Sequence, residues 1–286
     1  MERPLILVTN DDGITSKGLW AAVEAVLPLG EVLVVAPDCQ WSGAGRSMPH
    51  YVTGRLMDAT REVHGRRVAA YGIDASPALA VEHGVLELAP RAPSLVVSGI
   101  NFGANLGSDV TISGTVGAAL EAGAFGIPAL AVSLEMDPAY SLSGDDRADY
   151  TAGIAFTRRF ARHLLTCELP PDVDLLNLNI PADADRYTPW RLTQLSRQRY
   201  FVPLPPDRTR SSGRTRYKII ENPLTAEFDS DIRVMLVDRV VSVTPLSLNL
   251  TASVNFDIVG ISLHFESTLD QEVAVPSWKL PSFQEG

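Results

Sequence analysis

Five short runs of almost unbroken apolar residues, at positions 5–9, 32–36, 95–98, 129–133 and 175–180, set the first constraint on this 286-residue chain. Runs this short and this rich in branched side chains read as strands buried on both faces, the pattern of parallel sheets. Helical spacing fills the intervals. Leu19, Val23, Val26 and Leu27 recur on one helix face, with Gly30 as a stop, and Tyr150, Ile154, Ala161 and Leu165 mark another helix. Val116, Ala119, Leu120 and Gly123 form a narrow small-residue stripe suited to close packing on a sheet, and Ser76 before Pro77 makes an N-cap and first-turn pair for a further helix. Strands alternating with helices imply right-handed crossovers. The expected fold is α/β: a Rossmann-like three-layer α/β/α core around a mostly parallel sheet.

Two stretches break the rhythm. Residues 51–71 carry strand-type side chains punctuated by Gly54 and Gly65, which reads as an inserted antiparallel β-ribbon. From about residue 183, Pro, Arg and Tyr become more frequent, and the stretches 190–195 and 199–204 read as extended arms. The expected organisation is a core over 1–185 and an extended, β-rich C-terminal arm and tail over 186–286, within one structural domain. Residues 197–218 hold seven cations (Arg197, Arg199, Arg208, Arg210, Arg214, Arg216 and Lys218) against the single anion Asp207, so the rest of the chain is strongly acidic. Such a segment suits either a solvated, subunit-exchanging hairpin or an arm that faces phosphate. The final twenty residues, with Pro276 and Pro281, read as a tail or partner-binding extension.

Charge and cysteine content narrow the function classes. The 34 acidic residues outnumber the 24 basic ones, which argues against a basic grip on a nucleic-acid duplex. Cys39 and Cys167 cannot build a disulfide framework and fit a reducing compartment; with no secretory leader or membrane span legible, the expectation is a cytoplasmic protein without a membrane partner.

Ligands of open α/β sheets bind beyond the carboxyl ends of the strands, so the chemistry is sought there. The first such loop is Thr9-Asn10-Asp11-Asp12-Gly13, where adjacent carboxylates at the end of a buried strand call for positive compensation, with a divalent cation as the natural choice and an ordinary Asx turn as the plain alternative. The second runs from Pro37 to Ser47 through Ser42-Gly43-Ala44-Gly45; its small residues let backbone N–H groups approach an anion, and Ser42 offers a neutral oxygen. Cys39 in this loop has no His neighbour in sequence and is expected to act as a small hydrophobe. The third loop, Ser98 to Thr115, is too long and too rich in Gly, Asn and hydroxyls to be a mere connection. It ends at Ser113-Gly114-Thr115 before the small-residue helix, where N–H groups and the helix dipole suit a phosphate, although simple N-capping also explains a hydroxyl there. Hard oxygen donors favour Mg or Mn, and the five histidines show no zinc spacing. No Gly-Lys-Ser/Thr triplet and no Gly-x-Ser-x-Gly elbow occur, which argues against a P-loop and a Ser hydrolase.

On four blocks in order, the chain resembles the SurE family of stationary-phase survival proteins, metal-dependent 5'/3'-nucleotidases. The blocks are Ile6-Leu-Val-Thr-Asn-Asp-Asp-Gly13; Val35-Ala-Pro-Asp38 with Ser42-Gly-Ala-Gly45 and Ser47; Val97-Ser-Gly-Ile-Asn101 with Asn105-Leu-Gly107; and Ser113-Gly-Thr-Val-Gly-Ala-Ala119. Leu176-Asn-Leu-Asn-Ile-Pro181 and Val241-Ser-Val-Thr-Pro-Leu246 add weaker echoes. The resemblance implies a phosphomonoesterase with one divalent cation per subunit, Mg or Mn, held by Asp11, Asp12, Ser42 and Asn101. Asp11 and Asp12 are the expected catalytic pair, and Asn10, Gly43, Asn105, Ser113, Gly114 and Thr115 the phosphate and substrate set. It also implies a nucleoside monophosphate or other small phosphomonoester as substrate, and a homodimer or homotetramer with exchanged arms. A polyphosphatase, a broad acid phosphatase and a non-catalytic nucleotide-binding regulator are the alternatives. Two departures stand out: the family's Gly-Thr-Pro-Ala-Asp-Cys stretch is Gly72-Ile-Asp-Ala-Ser-Pro77 here, and a late family glycine is Arg239.

Overall fold

The computed structural model describes residues 3–136, 148–206 and 216–253. Of the two units into which the chain divides, Met1–Asn249 and Leu250–Gly286, the first holds every element below. Arg208, Arg210 and Arg214 of the basic segment and the tail with Pro276 and Pro281 lie outside the described residues.

Six strands form the parallel heart of the sheet: β1 (Leu5–Thr9), β2 (Glu31–Pro37), β5 (Arg66–Ile73), β6 (Leu95–Phe102), β7 (Ala129–Leu134) and β8 (Leu175–Ile180). They lie side by side as β5-β2-β1-β6-β7-β8, so the sheet grows outward in both directions from β1, the doubly wound order of the Rossmann fold. The two short strands β3 (Leu56–Asp58) and β4 (Arg61–Val63) both pair antiparallel with β5. The expected ribbon therefore exists, but its last strand belongs to the main sheet because Val68, Ala70 and Ile73 are buried against it.

The side chains of β1 alternate between two cores. Ile6 and Val8 face a cluster completed by α1 (Lys17–Val26) and α4 (Thr151–Leu164); Leu5 and Leu7 face one completed by α2 (Pro77–His83) and α3 (Gly114–Ala124). This period-two division puts a helical layer on each face. Ser76 caps α2 as its sequence predicts, accepting from the Leu79 N–H at 3.2 Å.

Beyond β8 the sheet continues with β12 (Val241–Leu246), antiparallel to β8, and then β9 (Trp190–Leu192), parallel to β12. The stretch at 190–195 is thus partly an edge strand. By contrast β10 (Phe201–Leu204) and β11 (Arg216–Ile219) form a separate two-stranded hairpin. Near its base, α5 (Asp231–Leu236) contributes Ile232 and Met235 to a small cluster with Ala104, Leu106 and Tyr200.

Candidate active site

Outward growth of the sheet from β1 leaves a crevice between the carboxyl ends of β1 and β6, where the strand order reverses. Asp11 and Asp12 follow β1 directly, and Asn101 lies at the end of β6. Asn10, fully buried, is engaged within its own turn. Its amide closes the turn on itself, with the Gly13 N–H donating to its Oδ1 and its Nδ2 donating to the Gly13 carbonyl, both at 3.2 Å. The Asx turn read in the sequence is present, and it carries the carboxylate pair.

Asp11 is almost fully buried. Thr115 Oγ1 donates to its Oδ1 at 2.6 Å, and the N-terminus of α3 abuts it so closely that a Cβ at Gly114 would lie 2.7 Å from Asp11 Cβ. Burial, and then the neighbouring Asp12 charge, push the Asp11 carboxyl up to about 7. Asp12 is half-buried; its Oδ2 accepts from the Phe102 N–H at 3.1 Å and its Oδ1 from Gln40 Nε2 at 3.4 Å, while burial raises its pKa as well. The groups that favour ionisation of the pair are hydrogen-bond donors, with no cationic side chain among them. A buried and a half-buried carboxylate held side by side in this way call for positive compensation, which a divalent cation can supply.

Asn101 reaches the crevice through an irregularity in β6. The register with β7 shifts between Ser98 and Asn101, and Gly99, at φ +134°, has its missing Cβ position only 2.3 Å from the Val132 carbonyl oxygen, so no side chain fits there. Asn101 Nδ2 donates to the Gly103 carbonyl at 2.7 Å, which leaves the amide oxygen as the half with lone pairs to offer. Ser42 arrives on the loop after β2. Gln40 Nε2 donates to Ser42 Oγ at 3.0 Å as well as to Asp12, bridging two of the expected ligands. Arg46 Nε donates to Glu121 of α3 at 2.6 Å, and the Gly45 N–H to the Ile112 carbonyl at 2.9 Å, so this loop is fastened across the crevice.

Asp11, Ser42, Gly43, Asn101, Asn105 and Ser113 line one cavity of about 220 Å³. Asp12, Gly114 and Thr115 are not part of that lining, and the Thr115 hydroxyl is directed to Asp11. Ser113 caps α3 by accepting from the Val116 N–H at 3.1 Å, so the capping and cavity-lining readings both hold. A groove of about 380 Å³ elsewhere, lined by Phe160, Leu176, Trp190 and Val243, is almost wholly apolar and offers no comparable chemistry.

Several residues of the site were not foreseen. Asp109 lines the cavity and accepts from the Phe201 N–H at 2.7 Å; Phe102 and Phe201 line it too. Beneath Asn105, fully buried Asn177 and Asn179 grip its peptide group. The Asn105 N–H donates to Asn179 Oδ1 at 2.8 Å, and Nδ2 of both residues donates to the Asn105 carbonyl at 3.0 Å. Two amides two positions apart in an otherwise apolar strand were the available signal. Cys39, expected as a small hydrophobe, is exposed because its loop turns outward after β2. Partial desolvation and the adjacent Asp38 hold its thiol above its ordinary pKa, the opposite of an activated nucleophile.

The donors gathered here, carboxylate, amide and hydroxyl oxygens, are of the type that suits a hard divalent ion. The family model described as survival protein SurE matches residues 6–202. The chain belongs to the SurE family. A protein of Thermococcus gammatolerans named 5'-nucleotidase SurE is 43% identical over 265 residues, covering 92% of this chain and 97% of its own. One from Archaeoglobus fulgidus with the same name is 42% identical over 256 residues, covering 89% and 95%. The crystal structure of a SurE protein from Aquifex aeolicus superposes with a TM-score of 0.68 at 32% identity, covering 90% of this chain and 98% of that one. Arg239, one of the departures noted in the sequence, falls at φ +53°, a conformation glycine adopts freely. Arg239 is instead held by a two-pronged pair with Glu135, at 2.7 and 3.1 Å, and by Asp183.

Proposed function

We propose that this SurE-family chain is a metal-dependent phosphomonoesterase that hydrolyses nucleoside 5'- or 3'-monophosphates to nucleoside and phosphate. The observation that carries the reading is the uncompensated Asp11–Asp12 pair, set at the switch point of the sheet and beside the N-terminus of α3. Relatives named 5'-nucleotidase SurE support the choice of a nucleotide.

In this reading Asp11, Asp12, Ser42 and Asn101 hold one Mg or Mn ion. Such a cation, when bound, polarises phosphoryl oxygens and lowers the pKa of water. The chain's own groups do the rest. Thr115 fixes the orientation of the Asp11 carboxylate, and the Phe102 N–H and Gln40 fix that of Asp12. Gly43, Asn105, Ser113 and the first turn of α3 position the phosphate, where helix N–H groups stabilise negative charge. Asn10 acts indirectly, by shaping the turn that presents the pair.

We assign the β10–β11 hairpin and the exposed segment that follows it to subunit assembly as well. The β10–β11 hairpin forms its own small sheet, and Tyr217, Leu224 and Phe228 are more than half exposed. Size-exclusion chromatography with light scattering tests this assignment, which a monomer would overturn.

The catalytic test is hydrolysis of a nucleoside monophosphate. EDTA abolishes it and Mg or Mn restores it; Asp12→Asn keeps the fold while turnover falls by orders of magnitude and metal affinity drops. An Asp12→Asn protein with near-normal turnover and bound metal would refute the site.

A further inference from the structure

The cavity has a second character. Phe102 from the end of β6, Ile112 from the turn before α3 and Phe201 from the start of β10 all line it, together with the polar end formed by Asp11, Ser42 and Ser113. Two of these apolar side chains come from the end of β6 and the loop after it, and the third from a remote part of the sequence. Ile112 is 48% exposed, and both phenylalanines are only half-buried. Apolar surface left in water beside a polar site adds little to the fold, and covering it is favourable in proportion to its area.

The wall is also fixed in place. The Phe102 N–H is bonded to Asp12, the Phe201 N–H to Asp109 and the Ile112 carbonyl to the Gly45 N–H. The Tyr200 ring supports Phe201 edge-on, with centroids 4.6 Å apart. A volume of about 220 Å³ lies below the ~300–1,000 Å³ of pockets that enclose a whole small ligand. A cavity of that size suits the phosphate end of a nucleotide better than the whole molecule.

We propose that Phe102, Ile112 and Phe201 form the seat of the nucleoside base and so determine selection of nucleotides over other phosphomonoesters. This rests on the nucleotidase reading of the polar end. A base presents a flat π-face to the aromatic rings, whereas a sugar phosphate or a polyphosphate chain presents none. Recognition by stacking reads the face of a base rather than its hydrogen-bonding edge. The wall therefore favours nucleotides as a class, and purines by their larger area, without strict choice among them.

The test compares kcat/KM for adenosine 5'-monophosphate and ribose 5-phosphate, which has a hydroxyl in place of the base, at saturating Mg or Mn. The wild type prefers the nucleotide. Phe102→Ala and Phe201→Ala each lower the ratio of the two values by about tenfold, mainly through KM for the nucleotide, within the range one base–aromatic contact supplies. Phe201→Tyr retains the ratio. Adenosine, which lacks the phosphate, inhibits the wild type competitively, and less well in the alanine variants. Because both substrates are turned over by the same molecules, partial misfolding of a variant leaves the ratio intact. Brisk hydrolysis of both substrates with equal kcat/KM in the wild type, or an unchanged ratio in both alanine variants, overturns the base seat while leaving the phosphatase reading standing. Failure of the folded, metal-loaded wild type to hydrolyse either substrate overturns both.

Discussion

Replacing Asn179 by leucine removes one clamp on the Asn105 peptide group while keeping the number and branching of the side-chain heavy atoms. Asn179 is fully buried, and its side chain both accepts from the Asn105 N–H and donates to the Asn105 carbonyl. The carbonyl keeps Asn177 as a donor, so the lasting damage is one N–H left without its acceptor. That costs about 1–3 kcal/mol. Taking about 2 kcal/mol, a compact unit of this size loses about 4–8 °C in Tm. Asn105 lines the cavity, so its release lowers kcat more than it raises KM. Asn179→Asp sharpens the test, because the introduced carboxyl keeps an acceptor for the N–H but sets an oxygen against the Asn105 carbonyl. Burial raises the folded-state pKa of that carboxyl above its unfolded value. The resulting cost is absent below about pH 4, where it is protonated in both states, and grows as pH rises toward the folded pKa. Thermal melts from pH 5 to 8 therefore show the Asn179→Asp protein falling progressively further below wild type toward the alkaline end, while the deficit of Asn179→Leu stays level. Wild-type Tm and kcat in Asn179→Leu would refute the clamp.

Other sites give independent outcomes. Gly114→Ala places a Cβ 2.7 Å from Asp11 Cβ and 2.8 Å from its Oδ2; the carboxylate moves aside, and metal affinity measured by calorimetry falls together with turnover. Arg46→Ala leaves the nearly buried Glu121 without its cation and frees the Ser42 loop; with Arg46 itself partly exposed, a stability loss of about 2 kcal/mol in urea melts is expected. Arg239→Ala keeps the left-handed backbone and loses the ion pairs, whereas Arg239→Gly relaxes the backbone, so the glycine variant is the more stable of the two by about 1 kcal/mol in the same assay.

The parts of the fold legible in sequence were those where a single pattern dominates. β1, β2, β7 and β8 are buried on both faces and so read as continuous apolar runs, and the Ser76-Pro77 pair announces its helix. The role of β12 was not legible as part of the main sheet: Val241-Ser-Val-Thr-Pro-Leu246 alternates, and its Pro245 is exposed, so it reads as peripheral until the partner strand β8 is known. The residue types of the site were legible because acidic pairs and glycine-rich turns are local. Their division of labour was not. Whether Thr115 faces a phosphate or Asp11, and whether Asn10 faces a ligand or its own turn, depends on distances between strand ends that no spacing encodes. For the same reason Phe201, remote in sequence from the β6 loop, could not be placed beside it.

The fastening of the loop after β6 bears on the order in which the molecule becomes competent during synthesis. Its Gly107 N–H donates to Asp231, its Ser108 N–H to the Gln198 carbonyl, and its Asp109 accepts from Phe201. Asp11, Asp12, Ser42 and Asn101 all emerge from the ribosome well before these later partners. A nascent chain thus carries every proposed metal-binding group while the loop that frames the cavity is still untethered, and the finished cavity waits until translation has passed α5. Chains stalled ahead of that point hold the chemistry without its frame.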